Sequence, residues 1–121
     1  MNDLVQFDVV KVPFPFTELP FTKRRPAVVL SDSAAFSFSE TPAKCVLAMI
    51  TSSKHKPWPL DTPLTSLKAA GLTQDSLIRL KIFTLDRSLI LAKIGVLSQK
   101  DTETLRANLA KLFATGKSKH A

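Results

Sequence analysis

Ala43-Lys44-Cys45-Val46-Leu47-Ala48-Met49-Ile50 is the stretch that decides the fold. All of it except Lys44 is apolar, and polar segments flank it on both sides. A short apolar run of this kind predicts a strand covered on both faces, and so a central one. Upstream, residues 26–31 (Pro26-Ala27-Val28-Val29-Leu30-Ser31) predict a second strand, with Pro26 tolerated as its first residue. Residues 7–12 are rich in β-branched side chains and stop at Pro13, which predicts the first strand. Between them, residues 13–25 form a long loop in which Pro13, Pro15 and Pro20 oppose ladder pairing.

Downstream, residues 51–65 read as a polar, proline-containing loop. After the Gly71-Leu72 turn, residues 76–84 predict a strand in which Leu77, Arg79 and Lys81 alternate with Ile78, Leu80 and Ile82. Asp86-Arg87-Ser88 reads as a turn, and residues 89–96 as the last strand. The period then changes. Ser98-Gln99-Lys100-Asp101 resembles a capping box with Asp101 in the Glu/Gln place. Leu105, Leu109 and Leu112, with Phe113, follow at helical spacing, Gly116 is expected to end the helix, and the tail 116–121 to fray. The expected fold is mainly β: a curled antiparallel sheet or barrel closed on one side by a C-terminal helix. No helix separates the first three strands, which argues against a doubly wound fold.

The 121 residues (13.3 kDa) form a single domain over 1–121, with a core of about 7–113. At 45% hydrophobic and 22% charged, the chain is neither disordered nor membrane-spanning. Its start carries Asp3 and Asp8 and no basic n-region, so no secretion signal is expected. A lone cysteine, Cys45, excludes an internal disulfide and a thiolate metal cluster, and a cytoplasmic location is expected. The formal net charge of +7 and pI of about 9.9 favour a polyanionic partner, nucleic acid first, or a basic surface that only aids solubility.

Most enzyme constellations are missing. Three glycines cannot make a phosphate loop, and His55 and His120 have no zinc spacing. Cys45 reads as core, and Asp61 and Asp75 as solvated loop acids. Two places stand out. Lys23-Arg24-Arg25-Pro26 puts guanidinium groups at a strand mouth, where their forks match phosphate oxygens. Thr51-Ser52-Ser53 puts three hydroxyls at the exit of the central strand, for a phosphate or for a hydrogen-bonded turn.

An ordered series runs through the chain: Asp8-Val9-Val10, the Pro-Phe segment 13–16, Arg25-Pro26-Ala27-Val28-Val29-Leu30, Ile50-Thr51-Ser52, Ala70-Gly71-Leu72, Ser76, Thr84-Leu85-Asp86, Ile94-Gly95 and Leu97-Ser98. With its leucine-bearing helix, the chain resembles the MazF/PemK-like toxins of type II toxin–antitoxin systems over roughly residues 7–113. The resemblance implies an SH3-like curled β-barrel and a homodimer. It implies metal-independent cleavage of single-stranded RNA, mostly mRNA, to a 2′,3′-cyclic phosphate and a 5′-hydroxyl, without cofactor. It also implies an antitoxin partner with an acidic C-terminal segment, and DNA binding together with that antitoxin. By position, the family's strand-start Arg falls on Arg25 and its Thr or Ser after the central strand on Thr51.

Those two residues suit the chemistry. An internal 2′-hydroxyl attack needs in-line geometry, proton transfer and stabilisation of the phosphorane's negative charge. Arg25 supplies two parallel N–H donors and Thr51 a third. An arginine holds its proton, so Arg25 is cast as electrostatic stabiliser and proton donor rather than base. His55, four residues after Thr51, is a proton-exchanging type or simply an exposed loop residue. Lys23, Arg24, Ser52, Lys54, His55 and Arg79 are expected to bind RNA, with Phe21 and Trp58 stacking on bases. Phe14 and Phe16 read as core or dimer packing. Three departures are visible: Phe7 stands where Gly often precedes the first acid, the loop before Arg25 lacks glycines, and Lys81 stands where members with the Arg79 counterpart carry Asp. A gyrase-poison-like binding toxin of the same barrel is the alternative.

Overall fold

The computed structural model describes residues 4–13, 23–36 and 43–116. The strands are β1 (Asp8–Pro13), β2 (Arg24–Val29), β3 (Lys44–Ser52), β4 (Thr62–Pro63), β5 (Ser76–Asp86) and β6 (Ala92–Val96). A 3₁₀ turn (Arg87–Leu89) precedes β6, and one helix, α1 (Gln99–Leu112), follows it. All pairings are antiparallel, in the order β4-β5-β3-β2-β1-β6, which gives a curled half-barrel. The expected mainly-β architecture with its C-terminal helix is the one observed.

The central run is covered on both faces, as its composition requires. On one face Cys45 and Leu47 pack with Val10, Val12, Ala27, Val29 and Phe83. On the other Ala48 and Ile50 pack with Val9, Val28 and Ile78 beneath Leu105 of α1 and Leu64 and Ala70 of the segment before β5. Cys45 is buried, as expected for a core residue, and burial pushes its thiol pKa up.

Several expectations are corrected. β2 starts at Arg24, so Pro26 lies inside it; pairing with β3 begins only at Ala27, which leaves the missing donor without a ladder to interrupt on that side. β3 runs through Thr51 and Ser52, so Thr51 sits in the strand and the hydrogen-bonded turn begins at Ser52. Within the predicted loop 51–65, Thr62 and Pro63 form the short edge strand β4. β5 does not keep strict alternation, because Leu80 and Lys81 are extra residues between the pairs Ala48–Ile82 and Met49–Arg79. The last strand starts at Ala92, behind the 3₁₀ turn. Helix α1 ends at Leu112 with Phe113 as its C-cap, ahead of Gly116.

The capping box is half made. Ser98 Oγ accepts from the Asp101 N–H at 3.2 Å, but the Asp101 carboxylate turns away to Thr65 and Ser66. Asp101 is 1% exposed and takes the Thr65 hydroxyl at 2.7 Å as well. Burial raises its pKa, but these donors outweigh burial and hold the carboxyl below its ordinary value. It fastens α1 to the segment before β5, and Asn108 Nδ2 adds a bond to Thr62 Oγ1 at 2.8 Å.

That segment also explains two glycines. Gly71 has φ +75, and a Cβ there would lie 1.9 Å from the Ile94 carbonyl oxygen. A Cβ on Gly95 would lie 2.3 Å from the Ala70 carbonyl carbon. The turn thus rests directly on β6, and the Val96 N–H bonds the Ala69 carbonyl at 2.9 Å. Phe7, at φ 73, holds the left-handed conformation that glycine adopts without cost.

Candidate active site

β2 and β3 pair at Val29–Leu47, Val28–Ala48 and Ala27–Met49, and then part. Beyond that point β2 follows β1 to the pair Pro13–Arg24, while β3 follows β5 to the pair Ser52–Ser76. The splay opens a cleft of about 250 Å³ lined by Arg25, Pro26, Ile50, Thr51, Ser52, Leu72, Thr73, Gln74 and Ser76. Arg25 and Thr51 stand two residues past the last pair on their strands, so each would face the other had the ladder continued. Strand alternation also places them on one face with Ala27 and Met49.

Thr51 is 3% exposed, and its Oγ1 is buried without a hydrogen-bond partner among the described residues. Leaving a hydroxyl so costs about 1–3 kcal/mol. Arg25 is half-buried beside it. A second recess of about 430 Å³ is lined by Ser52, Ser53, Lys54, Gln74 and Asp75, and shares Ser52 and Gln74 with the first. Its wall is a tight turn. Ser52 Oγ accepts from the Lys54 N–H at 3.2 Å, and the Ser52 carbonyl from the His55 N–H at 3.3 Å. The Ser53 N–H ties the turn to the Asp75 carbonyl at 3.1 Å.

The structure gathers Arg25, Thr51 and Ser52 at the cleft, with Lys54 at the recess beside it. His55 and Trp58 are exposed on the following loop, and Lys23 and Arg24 are exposed at the start of β2. Phe21, Phe14 and Phe16 lie outside the described residues.

Arg79 is placed differently from expectation. It is 6% exposed, neither a surface residue nor open to a ligand at its paired edge. Its Nε and Nη2 grip Asp61 Oδ1 and Oδ2 at 3.2 and 2.9 Å, and Nη2 also donates to the Lys56 carbonyl at 2.8 Å. Asp61 is correspondingly part-buried and ion-paired, not a solvated loop acid. The sequence offered no sign of this pair, because its members are 18 positions apart and meet only through the fold. Gln74 was missed, and Ser76, read only as a member of the ordered series, also lines the cleft; both roles follow from the splay.

The family model for PemK-like, MazF-like toxins of type II toxin–antitoxin systems matches residues 5–113. The chain belongs to this toxin family. MazF/PemK toxins are endoribonucleases, and the resemblance read from the ordered series agrees with the family match. No curated protein matches the chain in sequence.

Solved MazF-like structures share the fold. A mycobacterial endoribonuclease in complex with its cognate antitoxin superposes with TM-score 0.71 at 12% identity, covering 96% of this chain and 100% of that one. MazF in a MazE–MazF complex from Deinococcus radiodurans gives 0.69 at 21%, covering 93% and 98%. The Mycobacterium tuberculosis toxin MazF-mt6 gives 0.68 at 16%, covering 91% and 99%. Among the described residues of this MazF-like chain, no helix is long and apolar enough to cross a membrane.

Proposed function

We propose that this toxin cleaves single-stranded RNA, mRNA first, in the cytoplasm and without a metal ion. In this reading the scissile phosphate enters the β2/β3 cleft, and the neighbouring 2′-hydroxyl attacks phosphorus in line. The 5′-oxygen leaves as a hydroxyl after protonation, and a 2′,3′-cyclic phosphate remains. Arg25 stabilises the charge on the non-bridging oxygens, and the Thr51 hydroxyl donates to the same group. Lys23, Arg24, Ser52, Lys54 and His55 hold the flanking backbone.

The observation that carries this reading is that Arg25 and Thr51, whose buried hydroxyl has no hydrogen-bond partner among the described residues, line one cleft at the mouth of the splay. A toxin that acts by binding alone has no need of that pair. The test is an RNA digest in EDTA with the wild-type protein and with Arg25→Ala. Cleavage by the first and its loss in the second support the proposal; wild-type-like cleavage by Arg25→Ala contradicts it.

Two partners belong to the same proposal. An antitoxin with an acidic C-terminal segment covers the basic mouth at Lys23, Arg24 and Arg25 and so competes with RNA. A second copy of the chain covers the apolar groove of about 340 Å³ between Leu30, Phe36, Val46, Ile82, Leu109 and Phe113. Phe113 stands 61% exposed at its rim, which extends the apolar surface of the groove into solvent.

A further inference from the structure

The loop between β3 and β4 is built around Trp58, the single tryptophan of the chain. Its backbone N–H donates to Asp61 Oδ2 at 2.8 Å. The same carboxylate grips Arg79, and the Arg79 guanidinium carbon lies 4.9 Å from the Trp58 ring centroid. Leu60, between them, is held at φ 66, a conformation that costs a branched residue about 1 kcal/mol or more. The indole is thus clipped at its backbone and backed on one face by a buried cation. Trp58 nevertheless remains 45% exposed. Core packing does not explain an aromatic ring fixed this firmly and left this open.

Its position points to the use. Arg79 pairs with Met49 and Thr51 with Leu77, so Arg79 and Thr51 are diagonal neighbours on one face of adjacent strands. Such neighbours lie about 7–8 Å apart. Arg79, which backs the ring, thus lies on the strand next to Thr51 and on the same face of the sheet. The Arg79 cation behind the ring makes the outer face a better match for a base π-surface than for another cation.

We propose that Trp58 is a preformed stacking platform for one nucleobase of the bound RNA, and that Arg79 and Asp61 are the positioning residues that hold it. This rests on the RNA reading of the cleft and adds where a flanking base goes. Stacking is tolerant of base identity, so the platform raises affinity for any unpaired strand and for no particular sequence.

As the single tryptophan, Trp58 is its own reporter. Titration with random-sequence 2′-O-methyl RNA decamers, which lack the attacking hydroxyl, should quench its emission saturably. Fluorescence anisotropy of dye-labelled decamers gives affinity independently. Trp58→Ala should weaken that affinity about tenfold and Trp58→Phe less than threefold. Asp61→Asn should weaken it while leaving the indole freer, with faster depolarisation of its own emission. Because breaking a buried ion pair can unfold a chain, the Trp58 variants, on an exposed loop, carry the test if Asp61→Asn does not fold. In cleavage of ordinary RNA the loss should fall on KM more than on kcat. Unchanged emission on saturation with RNA, or an unchanged affinity in Trp58→Ala, overturns the platform and leaves the cleft reading standing. Quenching by an acidic peptide and not by RNA overturns it in favour of a protein partner. Absence of any RNA binding or cleavage by the wild-type protein removes the underlying reading instead.

Discussion

Arg25 and Thr51 hold corresponding positions on strands that have ceased to pair, two residues beyond the last couple, Ala27–Met49, and line one cleft. The ladder supplies their alignment and the splay supplies the space between them. Pro26 pairs with Lys11 of β1 but lies beyond the last β2–β3 pair, where its missing N–H interrupts nothing toward β3. The cleft is thus a consequence of where one antiparallel pairing stops.

Thr51→Val should separate stability from activity. The hydroxyl is buried and unpartnered, and valine has its shape without its desolvation cost. The variant should be as stable as wild type or more so, by up to about 1 kcal/mol, while RNA cleavage falls about 10²-fold. Denaturant midpoints and initial cleavage rates check the two halves. A destabilised Thr51→Val protein would mean that the hydroxyl has an internal partner.

Asp101 links stability to pH. Its folded pKa is depressed, so the stabilisation it gives is present above the unfolded value, near about 4, and is lost as pH falls through the lower folded value. Asp101→Asn should cost about 1–3 kcal/mol at pH 7. The gap between the variant and wild type should narrow in denaturant titrations carried out at progressively lower pH below about 4.

Much of this was legible in the residues, and the exceptions have physical reasons. The apolar run 43–50 sits between two packed faces, so composition alone marked β3 as central. Arg25 and Thr51 were singled out by position through the family resemblance, since the residues alone offered only a basic strand mouth and a group of hydroxyls. β4 was not, since two residues give no period to detect. Asp61 looked like any loop acid, because its partner Arg79 reaches it only after β5 has been brought beside β4. Asp101 showed its helix-start position and hid its bonds to Thr65, which are tertiary.

The Gly71 turn resting on β6 should tolerate no side chain. Gly95→Ala drives its methyl group into the Ala69–Ala70 backbone, and should destabilise by more than about 2 kcal/mol. Gly71→Ala adds a strained φ to the clash with Ile94. Chemical denaturation of both variants reads this directly, and wild-type midpoints would show that the turn does not lie against β6.

Assembly is testable at Phe113. Light scattering of the wild-type protein at micromolar concentration should give about twice the chain mass. Phe113→Glu, which puts a charge on the rim of the apolar groove, should give the monomer. A wild-type monomer, or a dimer indifferent to the charge, removes this groove as the interface.

The central claim is that Arg25 and Thr51 form a metal-independent ribonuclease site. The most direct measurement is digestion of a single-stranded RNA in EDTA by wild type, Arg25→Ala and Thr51→Val, with the product ends identified by mass spectrometry. The account predicts 2′,3′-cyclic phosphate and 5′-hydroxyl ends from the wild-type protein, and rates at least about 10²-fold lower from both folded variants. Cleavage that demands a divalent cation, or that proceeds at wild-type rate without Arg25, would contradict it.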